Sequence, residues 1–149
     1  MIGLVLFTHS GLARAFQESI EMVAGPQAQV ATVGVDKGVS PDVFERELER
    51  AIKKMDTGHG VIVLTDLFGG SPANLSLARL VPGRVEVISG LNLAMLLKAV
   101  DLRMRNLTDP AVMARAVARE GRENIVLASD LLSGQAEPPR ARSSQGGGG

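Results

Sequence analysis

The chain has 149 residues, of which 45% are hydrophobic and 21% charged, the usage of an ordinary globular protein and not of a disordered one. Sixteen basic residues balance sixteen acidic ones, and four Phe with no Trp or Tyr are its only aromatics. There is thus no net field to draw in a polyanion and no platform for stacked bases, so nucleic acid is not an expected partner. The absence of Cys excludes disulfides, thiolate metal sites and Cys nucleophiles together.

Ile2 to Thr8 is a continuous apolar run of strand length, suited to a central strand covered on both faces. No basic segment precedes it, it is too short for a signal core, and no apolar stretch approaches the roughly 20 residues that span a bilayer. The expected location is therefore the cytoplasm, without membrane insertion. Leu12, Ala15, Phe16, Ile20 and Val23 then recur at helical spacing, and Gly25-Pro26 ends that helix. Gln29 to Val35 predicts a second strand, and Ser40 as N-cap with Pro41 in the first turn opens a helix to about Met55. The charges on that helix read as a solvated face.

Gly60 to Asp66 predicts a third strand, followed by the turn Leu67 to Ser71 and a helix from Pro72. Val85 to Ser89 is a shorter fourth strand, followed by a helix through about Leu102. Asp109-Pro110 caps another helix that ends near Gly121, and Ile125 to Ala128 reads as a last strand. Strands alternating with amphipathic helices need crossovers, which means parallel pairing. The expected fold is α/β, doubly wound, with a mainly parallel sheet in flavodoxin-like order and helices on both faces. Residues 1–132 form the expected domain. Residues 133–149, rich in Pro, Ser and Gly and poor in core residues, form an expected disordered tail.

In an open α/β sheet, ligands bind beyond the carboxyl ends of the strands, where the strand order reverses. His9 is the first residue past strand one, and Asp66 ends strand three. In flavodoxin-like order these strands are neighbours, which brings an imidazole beside a carboxylate. The carboxylate can accept one ring proton, fix the tautomer and leave the other nitrogen as a nucleophile. The turn Gly69-Gly70-Ser71-Pro72 lets backbone approach a ligand and opens a helix, a candidate anion pocket to which Pro72 contributes no N–H. Taken singly, these residues stay open. His9 could be a structural hydrogen bonder, Asp66 a turn former, and Gly69-Gly70 a plain turn with Ser71 as N-cap. Their convergence on one edge favours phosphate chemistry. His59, at the opposite end of strand three, reads as solvated.

Three segments carry a resemblance: Thr8-His9-Ser10-Gly11-Leu12-Ala13, Thr65-Asp66-Leu67-Phe68-Gly69-Gly70-Ser71-Pro72-Ala73-Asn74 and Ser89-Gly90-Leu91-Asn92-Leu93-Ala94-Met95. In order and spacing they resemble the active-edge motifs of the enzyme IIA domain of mannose-family sugar phosphotransferase systems, over about Met1 to Leu132. The Asp66 to Asn74 stretch is the specific one. The resemblance implies that His9 takes a phosphoryl group from the phosphocarrier HPr and gives it to a IIB domain, while Asp66 orients its ring. It implies that Gly69, Gly70 and Ser71 contact the phosphoryl group and that Ser10, Leu91 and Asn92 lie at the rim. It also implies a homodimer that exchanges a C-terminal strand, here Asn124 to Ala128, and no cofactor or metal. Ser10 and Ala94 depart from the family, which more often has Gly and Pro there.

A phosphotransfer subunit of dihydroxyacetone kinase would also begin with His-Ser, but Gly69-Gly70-Ser71-Pro72 argues against it. A hydrolase lacks the Gly-x-Ser-x-Gly elbow, and a zinc site lacks a third ligand beside His9 and Asp66. A P-loop lacks its Gly-Lys-Ser/Thr ending. A regulatory module that senses phosphorylation state is the remaining alternative to a carrier.

Overall fold

The computed structural model describes residues 1–140. Its elements in chain order are β1 (Gly3–His9), α1 (Leu12–Ala24), β2 (Val30–Val35), α2 (Pro41–Met55), β3 (Val61–Thr65), α3 (Ser71–Leu77), β4 (Val85–Ser89), α4 (Leu93–Met104), α5 (Pro110–Glu123) and α6 (Ala128–Leu132). The four strands form one sheet in the order β2-β1-β3-β4, all parallel.

Gly3 to Thr8 of β1 and all of β3 are buried, because both strands lie inside the sheet and both faces are covered. This is why they are continuous apolar runs and not alternating ones. The side chains still divide by the two-residue period of a strand. Leu4, Leu6, Ile62 and Leu64 pack with Ala13 and Ile20 of α1, Met95 and Leu96 of α4, and Met113 and Val117 of α5. Val5, Phe7, Val61 and Val63 face the other way, onto Phe44, Leu48, Ala51 and Met55 of α2, with Leu75 of α3 beside them. The sheet is the middle layer of an α/β sandwich.

The helix ends match the sequence signals unevenly. Asp109 caps α5 through Oδ1, which accepts from the amides of Ala111 at 2.9 Å and Val112 at 3.1 Å. Ser40 stands at the start of α2 but makes no side-chain cap bond. The largest departure is at the C-terminus, where Ile125 to Ala128 is not a strand. Ile125, Val126 and Leu127 run as an exposed segment, and Ala128 opens α6. A strand needs a neighbour to satisfy its amides, and among the described residues this segment pairs with no strand. Of the expected tail, residues 133–140 contain no helix or strand, and 141–149 lie outside the described residues.

At the lower end of the sheet, Asp56 closes the loop that feeds β3. Its Oδ1 accepts from the amides of Gly58 at 2.9 Å and Gly60 at 3.1 Å, and its Oδ2 accepts from Arg84 Nε at 3.0 Å. The Gly58 bond, against an opposing push from burial and with help from Gly60 and Arg84, holds the Asp56 carboxyl below its ordinary range. A carboxyl lowered on folding adds stability that is complete above the unfolded-chain value near about 3.9 and is lost as pH falls through the folded value. Asp56→Asn is expected to cost roughly 1 kcal/mol at neutral pH. In urea titrations the gap to wild type should close on acidification below about pH 4, and a gap that does not change with pH would contradict this role.

Candidate functional site

The upper edge of the sheet is built by the turns that leave β1, β3 and β4. Because β1 and β3 are adjacent, with Phe7 opposite Thr65, His9 lies two residues past the last pair on β1 and Asp66 one residue past it on β3. One oxygen of Asp66 accepts twice from His9: Oδ2 lies 3.0 Å from the backbone N and 2.9 Å from ring Nδ1. A carboxylate can only accept, so Nδ1 carries the proton and Nε2 keeps its lone pair free. The imidazole is 47% exposed and the Asp66 side chain only 13%, so the acceptor nitrogen is reachable while the group orienting it is sheltered.

Burial pushes the Asp66 carboxyl up. The His9 amide, the ring hydrogen bond and the ring's charge, with Asp66's own amide, outweigh it and hold the group below the usual carboxylate range. Asp66 is therefore ionised at neutral pH. Its other oxygen, Oδ1, is buried and unpartnered among the described residues.

The far side of the ring meets the turn after β3. Gly69 stands at φ +85, which only glycine adopts without strain, and Gly70 is the N-cap of α3. Ser71 is thus the first residue of the helix and not its cap. A Cβ on Gly70 would lie 2.8 Å from His9 Cε1 and 3.4 Å from Nε2, so this glycine is present to let the ring pass. Ser71 and Ala73 in the first turn of α3 have no carbonyl within the helix to receive their amides, whereas Pro72 has no N–H. The free ring nitrogen faces this glycine turn.

Ser10 adopts φ +48 immediately after the histidine. That conformation costs a non-glycine residue about 1–2 kcal/mol, and the bond from its amide to Val35 O at 2.8 Å offsets about half of it. Leu91 and Asn92 do not hydrogen-bond to His9 or Asp66. Leu91 is buried in the core, and Asn92 caps α4 by accepting from the Met95 amide at 3.1 Å while donating to Gly121 O at 3.1 Å. His59 is exposed at the opposite edge, with Nδ1 3.4 Å from the amino group of Met1.

Three residues of the motif segments take roles that the motif reading did not assign. Thr8, fully buried, accepts the Ala13 amide on Oγ1 at 2.7 Å and so serves as the cap that Gly11 cannot be. Thr65 and Ser89 share a 2.7 Å hydroxyl bond that ties β3 to β4 below the site. Among the described residues no three His, Asp or Glu side chains gather in metal-ligating range, and no helix is long and apolar enough to cross a membrane.

The EIIA-man family model, described as the PTS system fructose IIA component, matches residues 3–117. The chain belongs to this family. It is 31% identical over 126 residues to the PTS system mannose-specific EIIAB component of Escherichia coli K12, a match that covers 83% of this chain and 38% of that protein. Against the PTS system fructose-specific EIIA component of Bacillus subtilis it is 29% identical over 104 residues, 69% of this chain and 71% of that one. The crystal structure of phosphotransferase system component EIIA from Streptococcus agalactiae superposes with a TM-score of 0.78 at 30% identity, covering 87% of this chain and 98% of that one. The chain spans well under half the length of the EIIAB protein that it matches.

In an EIIA-man chain built this way, ring position depends on Gly70. Gly70→Ala is expected to push the imidazole off Asp66, so that the protected Nδ1–H signal of His9 seen by proton NMR at low temperature is lost. An unchanged signal would show that the ring does not rest on this glycine.

Proposed function

We propose that the chain is a phosphocarrier of a sugar phosphotransferase system, with His9 accepting the phosphoryl group on Nε2. The observation that carries this reading is the pair of hydrogen bonds that His9 donates to one oxygen of Asp66, which commits Nδ1 as a donor and leaves Nε2 nucleophilic beside a glycine turn. HPr is the donor and a IIB domain the acceptor. In the transfer, Nε2 bonds to phosphorus as the donor's P–N bond breaks, and the Nδ1 proton stays on the ring with Asp66 balancing its charge. Gly69, Gly70 and Ser71 supply the surroundings of the phosphoryl oxygens through backbone and hydroxyl groups. Leu67 and Phe68, 61% and 76% exposed, stand beside this turn as apolar surface for the partner's face.

We also propose a homodimer in which Asn124 to Ala128 is exchanged. In support, among the described residues the outer edge of β4 is unpaired beyond Val85, which bridges to Val81, and a groove of about 630 Å³ that includes Phe68, Leu77, Val87 and Ile88 lies beside it. Ile125 and Leu127 are 79% and 63% exposed in the single chain, so an apolar segment and an open edge are both unpartnered. Ending the chain after Asn124 is expected to convert a dimer to a monomer in sedimentation; an unchanged mass, or a full-length chain that sediments as a monomer, would refute the exchange.

Incubated with phosphoenolpyruvate, enzyme I and HPr, wild type is expected to gain one acid-labile phosphate by mass spectrometry and His9→Ala none. Asp66→Ala should fold and take up phosphate roughly tenfold to a hundredfold more slowly, the usual cost of removing the carboxylate behind a functional histidine. Label persisting in His9→Ala would overturn the site, and unchanged kinetics in Asp66→Ala would remove the carboxylate from the mechanism. Discharge on adding IIB proteins separates a relay from a sensor of phosphorylation state.

A further inference from the structure

The geometry points to Gly34 as a positioning residue for the His9 imidazole, acting through the backbone of Ser10. This rests on the reading of His9 as the phosphoryl acceptor, and it concerns a residue on β2 that touches neither the ring nor the phosphate. Gly34 sits opposite Thr8 in the β1–β2 register, and Ser10 continues that pairing by donating its amide to Val35 O at 2.8 Å. With φ +48, Ser10 turns its carbonyl back over β2. A Cβ on Gly34 would lie 2.3 Å from Ser10 O, well inside the 3.0 Å that real Cβ atoms keep from any atom, and 3.2 Å from its carbonyl carbon. The obstacle is backbone, so no rotamer change relieves it.

Gly34 has an ordinary backbone conformation, and only the absence of a side chain explains glycine there. The clash would fall on the Ser10–Gly11 peptide, one residue beyond the peptide that joins His9 to Ser10. His9 is held at two points on Asp66 Oδ2, by its backbone N and by ring Nδ1, so a shift of its chain alters both contacts together. Gly70 stands against the ring from the other side and leaves it little room to compensate. The left-handed Ser10 and the bare Gly34 therefore form a joint that sets the course of the chain leaving His9.

The test uses the full chain and two readouts, the protected Nδ1–H signal of His9 and the rate of phosphate uptake from phosphorylated HPr. Gly34→Ala is expected to weaken the signal and slow uptake roughly tenfold or more, the scale for a displaced reacting group. Adding Ser10→Gly should restore both, because glycine can leave the left-handed region and carry its carbonyl off the methyl group. A role in packing alone would lower the melting temperature of Gly34→Ala while leaving signal and rate intact, and that result would overturn the proposal, as would failure of Ser10→Gly to rescue. If Gly34→Ala does not fold, the double variant is compared with Ser10→Gly alone: matching signal and rate support the joint, and a slow or unfolded double variant contradicts it. Should wild type take no phosphate, the carrier reading fails while the ring signal still decides the role of Gly34.

Discussion

A single carboxylate oxygen organises the active edge of this molecule. Asp66 Oδ2 accepts from the amide and from the ring of the same histidine, at 3.0 and 2.9 Å, which fixes where the strand ends and which nitrogen is free. The first contact ties two adjacent strands together just beyond their paired residues, and the second sets the tautomer. Both are stronger to an ionised carboxylate than to a neutral carboxyl, and the bonds that use it also keep it ionised against the cost of burial. Structure and chemistry at the site thus rest on one charge-assisted pair.

The rest of the fold brings the two groups to that distance. Parallel order β2-β1-β3-β4 puts the carboxyl ends of β1 and β3 side by side, and apolar packing on both faces keeps these strands from sliding. The turns beyond them are held in turn by Thr8 capping α1, by Asn92 capping α4 and by the Thr65–Ser89 hydroxyl bond. Glycines stand where a side chain would strike the ring or its neighbouring peptide. The outcome is a half-exposed imidazole held in one orientation on a rigid frame.

Much of this was legible in the residues. The strands are apolar runs because both faces are buried, Asp109-Pro110 is a cap signal that forms as read, and strand ends in an α/β sheet name their own site residues, which located His9 and Asp66. Other features were not legible because they depend on distances between segments remote in sequence. That Gly70 is needed for ring clearance and Gly34 for a carbonyl on β1's turn is visible only in space. Asn92, read at the rim, also caps α4 and ties it to α5, a role hidden because the motif shows its identity and not its direction. Ile125 to Ala128 has strand composition, but β-propensity expresses a fit to a neighbouring strand, and the single chain provides none.

The most direct test of this account is to phosphorylate the protein and record nitrogen-correlated proton NMR of the His9 ring. The geometry predicts phosphate on Nε2, with Nδ1 still protonated and bonded to Asp66. Phosphate found on Nδ1, or on any residue other than His9, would contradict it.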